Sequence, residues 1–465
     1  MVVMAVSCVA PAKKSLPPEQ LEVPAEWRAT GGSVGGTETV WWEAFSSSEL
    51  ESLLIEAFDS NPDLSAMTAR VESAAASTRI AGANLYPSVS AGLDGSRRKQ
   101  NFIGFPIPGS TSNVLSTQAT TYGLSLATNW ELDLWGRARA SKRAAMADQE
   151  AAQADYEMRR LSLAAQVSKA WINVIAARQQ LSLAERSAAS FADTAAKIQS
   201  RYEEGLRSAL EYQLAVNSSE SAKALVVERR QQVLQVVQQL ELLLGRYPAG
   251  KLETEEVLPS LVGGVAAGIP SSLMTRRPDL VAAERRLAAA DQRLRESKAS
   301  LFPQISLSGS TGTSTAELQD LLDTDFSVWT LAGNLAQPIF QGGRLRAGVD
   351  LSKGRVKEAV AQYVGAVLQA FGEVEFSLAS EAFLREREGF VGAAAAQSES
   401  ALALANRRYE SGLEELINVL ESQRRSLSDG TQLIAVRQAR LNNRVDLYLA
   451  LGGGTEAGTD LQMER

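Results

Sequence analysis

The chain is written twice. Asn61-Pro62-Asp63-Leu64 returns as Arg277-Pro278-Asp279-Leu280, 216 positions on, and at the same spacing Tyr86-Pro87 returns as Phe302-Pro303, Val89 as Ile305 and Ser90 as Ser306. Further along, Gly136-Arg137-Ala138-Arg139 returns as Gly343-Arg344-Leu345-Arg346, and Arg201-Tyr202-Glu203-Glu204-Gly205-Leu206 as Arg408-Tyr409-Glu410-Ser411-Gly412-Leu413, both 207 positions on. Ordered matches at two constant spacings mark a tandem duplication, and a repeat of this size governs every later reading. The drop in spacing puts extra residues in the first copy between Ser90 and Gly136, where the Gly- and Pro-rich stretch Asn101 to Gly109 predicts a longer loop. The expected organisation is an extended N-terminal segment (1–48), a first copy (49–255), and a second copy with a flexible C-terminal tail (256–465).

Each copy reads as helix, hairpin, long helix, tight turn, long helix. Pro62 and Pro278 suit the first turn of a helix, which runs to Leu85 or Leu301 and stops at Pro87 or Pro303. The period then changes to two. Val89, Ala91 and Leu93 alternate with small polar residues, as do Tyr122, Leu124, Leu126, Thr128, Trp130 and Leu132, then Ile305 and Leu307, and less cleanly Trp329, Leu331 and Leu335. That predicts two hairpins and four strands.

From Arg137 to about Tyr202 there is neither Pro nor Gly; as one helix this run would be roughly 100 Å long at 1.5 Å rise per residue. Return helices are expected from about Ser208 to Leu244 and from about Glu414 to Leu451. Near-heptad stripes, Val233, Val237, Leu240 and Leu244 in one and Leu413, Ile417, Leu420 and Leu427 in the other, predict coiled-coil seams. At the two turns Gly205 and Gly412 fit the left-handed position that ends a helix. The expected class is α+β, mainly α.

Composition narrows the function. Charged residues are 22% of the chain, the formal net charge is −7, and Lys and Arg are interspersed with Asp and Glu, so the basic footprint that nucleic-acid binding needs is missing. There is no histidine, which excludes a Ser-His triad, a His-ligated zinc site and imidazole acid–base chemistry. With one cysteine, Cys8, neither an intramolecular disulfide nor a thiolate cluster can form. No cofactor or metal is expected. Val257 to Thr275 is the longest uncharged candidate for a transmembrane helix, but Pro259, Gly263, Gly264, Gly268 and Pro270 make it an irregular linker. A membrane crossing would therefore fall to the strands. Four cannot close a barrel, whereas three copies would supply twelve.

Cys8 follows the short apolar stretch Met1 to Ser7. This resembles the end of a bacterial lipoprotein signal, which makes Cys8 the expected lipidated residue and 1–48 a lipid-anchor segment. A basic n-region is missing and Ala5 stands where Leu is usual; the alternative is a lone cysteine in a disordered terminus.

Trp41-Trp42 with Phe45, Asn61-Pro62-Asp63-Leu64, Leu85-Tyr86-Pro87, Arg276-Arg277-Pro278-Asp279-Leu280, Leu301-Phe302-Pro303 and Gln337-Pro338-Ile339-Phe340-Gln341-Gly342-Gly343-Arg344 occur in the order seen in the outer-membrane efflux factors of Gram-negative bacteria. Over about Trp41 to Leu451 the chain resembles that family, and most closely its lipid-anchored branch serving resistance-nodulation-division pumps. The resemblance implies a homotrimer with a twelve-stranded barrel in the outer membrane and an α-helical barrel in the periplasm. It implies a passive conduit, not an enzyme, partnered by a periplasmic adaptor, an inner-membrane pump and outer-membrane lipid. Adaptor docking would fall to the helical tips, Tyr202, Gly205, Leu206, Tyr409, Gly412 and Leu413. The family's periplasmic gate carries over to Ile417, Glu421 and Arg424, with Glu421 where Asp is usual; the first copy has Leu210, Leu214 and Asn217 there.

Two other readings compete: a non-channel coiled-coil envelope protein of the adaptor kind, and an exit duct for heavy-metal efflux or type I secretion. Adaptors lack two repeated amphipathic hairpins flanked by Pro. An enzyme has little support, since carboxylate pairs on charge-rich helices are usually solvated faces.

Overall fold

The computed structural model describes residues 24–28, 41–103, 114–261 and 267–453. Cys8, most of the segment 1–48, positions 104–109 of the expected loop and the tail from 454 lie outside the described residues. Among those described, a short 3-10 helix (Trp41–Phe45) precedes α1 (Ser48–Ser60), α2 (Pro62–Ala83), β1 (Ser88–Ile103), β2 (Val114–Leu132), α3 (Arg137–Glu203), α4 (Ala209–Leu243), α5 (Pro270–Arg276), α6 (Pro278–Ala299), β3 (Gln304–Thr315), β4 (Ser327–Ala336), α7 (Arg344–Glu410) and α8 (Leu416–Ala450). The two copies match in length: 22 residues in α2 and α6, 67 in α3 and α7, 35 in α4 and α8.

Four expectations need correction. α2 and α6 stop two residues short of Leu85 and Leu301, because the proline that follows forces the residue before it out of the helical region; turn bonds such as Tyr86 N–H to Ala83 O close the end. The excess of the first copy lies partly in paired strand rather than loop. β1 continues through Asn101 to Ile103, and β1 and β2 have 16 and 19 residues against 12 and 10 in β3 and β4. The last residues of the expected linker form α5, started by Pro270 at its first turn. The heptad stripe through Leu413, Ile417, Leu420 and Leu427 holds only in part: Leu413 lies in the turn before α8 begins, and the side of α8 that packs runs through Leu416 and Leu420 rather than Ile417. Leu416, Val419, Leu420 and Gln423 are buried, while Leu413 and Ile417 are exposed. In α4 the predicted stripe holds, with Val237, Leu240 and Leu244 buried.

The chain divides into two compact units that cut across the repeats. One comprises Glu72–Ala151 and Glu284–Ala361 and holds the sheet, in the order β1-β2-β3-β4 with every pair antiparallel. β2 and β3 join the two hairpins, and β1 and β4 are left as edges.

The other unit comprises the described residues of Ser15–Val71, Ala152–Ala283 and Gln362–Arg465. Its core gathers Trp41, Leu50, Leu54, Trp171, Ile172, Leu240, Leu280, Val367 and Val445. The Trp41 ring stacks on Tyr448, centroids 5.4 Å apart, which explains why an aromatic run precedes α1.

The duplicated opener has a structural job in this unit. Asn61 caps α2, its Oδ1 accepting from the Asp63 and Leu64 N–H groups, while its Nδ2 donates to Leu243 O at 2.9 Å. Arg277 does the corresponding work for α6: its Nη1 donates to Ala450 O at 3.2 Å, and it pairs with Asp279 and Glu373. Each return helix is thus tied at its C-terminal end to the start of a short helix. Gly245 ends α4 at φ 74°, and a Cβ there would lie 2.5 Å from Ser60 O. Gly452 is the equivalent after α8, against Arg276 and Arg277. A further tie uses buried Glu241. Burial pushes its carboxyl up, but the backbone N–H groups of Gly250, Lys251 and Leu252 all donate to it, and the net position is below the usual carboxylate range.

Candidate functional site

Side chains opposite one another in an antiparallel ladder share a face, so register assigns every strand residue to a side of the sheet. Val89, Ala91 and Leu93 face Thr128, Leu126 and Leu124; across β2, Trp130 and Leu132 face Leu307 and Ile305; across β3, Ile305, Gly309 and Thr311 face Leu335, Leu331 and Trp329. That side carries no charge from the sheet base up to the level of Gly95, Tyr122 and Thr315. The uneven alternation in β4 is accounted for by Gly333, which occupies an apolar-side position opposite Leu307.

The other side is polar. Ser88, Ser90, Asp94, Ser125, Asn129, Glu131, Ser306, Ser308, Ser310, Thr330 and Asn334 lie there. Neither side is covered: Val89, Leu93, Trp329, Leu331 and Leu335 are all more than 60% exposed. From Tyr122 to Leu132 the band is 11 residues deep, the length of a tilted strand crossing a bilayer, about 9–11 residues.

The base of the sheet is ringed by aromatics. Trp135 stacks on Phe302 at 5.1 Å and its Nε1 donates to Pro303 O, while Trp130 Nε1 donates to Leu85 O at 3.1 Å. Indoles with an apolar body and a satisfied N–H belong at a membrane interface. On the polar side Arg137 pairs with both oxygens of Glu131, and Asp133 accepts from the Ala138 and Arg139 N–H groups, which starts α3 where β2 ends.

The tips of the long helices repeat in backbone and differ in side chains. Gly205 and Gly412 sit at φ 76° and 74°, and each turn closes with the same two bonds: Gly N–H to the tyrosine O (Tyr202, Tyr409) and Leu N–H to the arginine O (Arg201, Arg408). This six-to-one, five-to-two pattern is the helix stop expected of the repeated motif. Tyr202 is half-open and stacks on Tyr212 at 5.2 Å, whereas Tyr409 is buried, with the guanidinium groups of Arg201 and Arg207 over its ring at 5.5 and 5.3 Å. Leu206 and Leu413 project, each nearly 70% exposed. The side chain of Ser208 accepts from Glu211 N–H and the Glu211 carboxylate accepts from Ser208 N–H, a capping box; those bonds hold the Glu211 carboxyl below its ordinary value. Glu414 is held low in the same sense, chiefly by Asn418.

No atom lies within 4 Å of a Cβ built on Gly205 or Gly412, so only the backbone opposes a side chain there. Gly412→Ala is expected to cost about 1 kcal/mol, and pairing it with Gly205→Ala about twice that. Urea denaturation of the purified variants measures this; no loss for either glycine would mean that the tip tolerates a different turn.

Ile417, Glu421 and Arg424 are all exposed, on a side of α8 flanking the buried Leu416, Val419, Leu420 and Gln423. Within the chain Glu421 reaches Arg425 at 3.9 Å, and among the described residues Arg424 makes no ion pair. Leu210, Leu214 and Asn217 are exposed at the corresponding positions of α4. Sequence reading missed Gln423: buried below this face, its Nε2 donates to Ser190 Oγ at 2.8 Å and Thr194 Oγ1 at 3.0 Å, fixing α8 against α3. Its place among apolar residues at helical spacing was the available signal.

Among the described residues no group of His, Cys, Asp and Glu could hold a metal ion, and no helix is long and apolar enough to cross a membrane. The pattern of the family described as outer membrane efflux protein matches residues 53–246 and 269–453. Over 432 residues the chain is 36% identical to outer membrane protein OprJ of Pseudomonas aeruginosa, covering 92% of this chain and 89% of that protein. It is 34% identical to the pyoverdine export outer membrane protein OpmQ of the same organism, covering 94% and 92%. A solved structure described as a membrane protein from Pseudomonas aeruginosa is 35% identical, with a TM-score of 0.86 over 96% of this chain and 99% of that one.

Proposed function

Because the chain belongs to the outer membrane efflux protein family and is the outer-membrane component of an efflux pump, we propose that three copies close into one duct, a passive exit path for small molecules such as drugs. The observation that carries this reading is the uncharged apolar face, 11 residues deep, on a sheet whose two edges are unpaired. A sheet with free edges at β1 and β4 is closed by pairing β4 of one copy with β1 of the next. Phe376, Phe383 and Phe390, seven apart on α7 and each over 70% exposed, support a helical seam between copies. On this reading the polar face lines the lumen, the helices stand in the periplasm, and the subunit catalyses nothing. Energy comes from an inner-membrane pump, joined through a periplasmic adaptor seated on the tips around Tyr202, Gly205, Leu206, Tyr409, Gly412 and Leu413. Tyr409 shapes the tip from within, and Leu206 and Leu413 offer the contact surface. Lipidation at Cys8 and division into two repeat units, 49–255 and 256–465, complete the proposal. Ion conductance in planar bilayers together with heat-resistant trimers in detergent tests it; a monomer that stays soluble without detergent overturns it and favours the adaptor-like alternative.

Ile417, Glu421 and Arg424 form the gate in this reading. Threefold symmetry gathers three copies of each, and Arg424, which makes no ion pair among the described residues, meets the Glu421 of a neighbour on this reading. Glu421→Ala combined with Arg424→Ala is expected to raise single-channel conductance several-fold. An unchanged conductance removes the gate role and leaves both as solvated helix charges.

A further inference from the structure

Beyond the level of Gly95, Tyr122 and Thr315 only the first hairpin continues as paired strand, Ser96–Ile103 against Val114–Thr121. That extension carries Arg97, Arg98 and Lys99 and no carboxylate. Register separates the three. Arg97 and Lys99 continue the side of Val89, Ala91, Leu93 and Gly95, and Arg98 turns to the other side. Opposite Arg97 and Lys99 on the same side stand Thr120 and Gln118. Arg97 donates one N–H to Gln118 Oε1 at 3.2 Å, and all three basic residues are exposed.

Depth fixes what these cations meet. At about 3.4 Å per residue, Arg97 and Lys99 stand roughly 7 and 14 Å beyond Gly95 along the strand, less along the membrane normal because strands tilt. The headgroup layer adds about 5–8 Å to each side of the hydrocarbon core. Arg97 therefore lies at phosphate level and Lys99 at its outer margin, both on the side that faces lipid. Arginine takes phosphate with two parallel donors, and lysine adds a point charge.

We propose that Arg97 and Lys99, with Gln118 and Thr120, form a site for the phosphate groups of an outer-leaflet lipid. The proposal rests on the reading that the apolar face meets the bilayer. The competing partner is the acidic stretch Glu317, Asp320, Asp323 and Asp325 of an adjacent copy; the side on which Arg97 and Lys99 lie favours lipid.

The test is binding of bis-phosphorylated lipid A to the purified full chain in phosphatidylcholine vesicles, followed as retained lipid by native mass spectrometry. Arg97→Gln with Lys99→Gln is expected to weaken binding about thirtyfold, two basic residues near a membrane surface at about 1 kcal/mol each. Arg98→Gln leaves it unchanged, dephosphorylated lipid A binds as weakly as the double variant, and inorganic phosphate fails to compete. Equal binding by wild type and double variant overturns the site, and so does equal binding of the dephosphorylated lipid. Effective competition by inorganic phosphate makes it a free-anion site and not a lipid site. If the double variant loses its heat-resistant trimer without any lipid A, the cations pair with the neighbouring acidic stretch. In each case a conducting trimer shows that the channel reading stands; a wild type that neither inserts nor conducts removes that reading instead.

Discussion

Arg277→Ala is expected to destabilise the folded chain by about 2–3 kcal/mol, a larger loss than Asn61→Ala at the equivalent place in the first copy. Both residues tie the end of a return helix to the start of a short one, but by different means. Asn61 is an N-cap with one extra bond to Leu243 O, and losing a cap costs typically about 1 kcal/mol. The Arg277 side chain is only 5% exposed and holds two carboxylates and the Ala450 carbonyl together. Burial alone would lower its pKa, yet Asp279 and Glu373 outweigh that and raise it.

Removing one partner of a fully buried ion pair costs about 3–5 kcal/mol. Here Asp279 and Glu373 are themselves a third or more exposed, so water can take over part of the lost pairing, which sets the smaller figure. Urea midpoints of the purified variants measure the difference. If Arg277→Ala costs no more than Asn61→Ala, the ion cluster adds nothing beyond the tie to the helix end.

That pair shows where sequence reading succeeds and stops. Two copies in register gave helix lengths, turns and hairpins, because a duplicated chain tests each local pattern twice. The opener Arg277-Pro278-Asp279-Leu280 was legible as a helix start through Pro278 alone. That Arg277 is buried and binds Ala450 O depends on a contact across 173 positions, which no local periodicity encodes. Strand ends were blurred for a related reason. Asn101 is a poor strand former, and β1 keeps it because β2 runs opposite, Asn101 against Ser116. The second heptad stripe held only in part, with Leu420 buried and Ile417 exposed, because the buried face of α8 is set by its packing on α3, where Gln423 meets Ser190 and Thr194, which spacing alone does not reveal. The exposed face of Ile417, Glu421 and Arg424 was legible, since steps of four and three return to one side of a helix.

Leu126→Arg is expected to cost about 2–4 kcal/mol in folding into a bilayer, and Ala127→Arg, one residue on, close to nothing. Leu126 lies near the middle of the stretch Tyr122 to Leu132, between Ala91 and Thr311 on the apolar side, and is 50% exposed in the isolated chain. An arginine on the lipid side at the bilayer midplane carries that penalty, and near the interfaces it falls to about 0–1 kcal/mol. Ala127 points to the side of Ser90 and Ser310, where a cation meets water. Packing against a soluble partner predicts a different pattern, since Leu126→Arg would then abolish that contact in solution at any depth. Urea titration of folding into phospholipid vesicles, repeated for Leu124→Arg and Trp130→Arg, reads both the side and the depth. A penalty that peaks at Leu126 and fades toward both ends is the signature of hydrocarbon. One that is equal at the three positions, or as large for Ala127→Arg, would remove the membrane wall on which the duct depends.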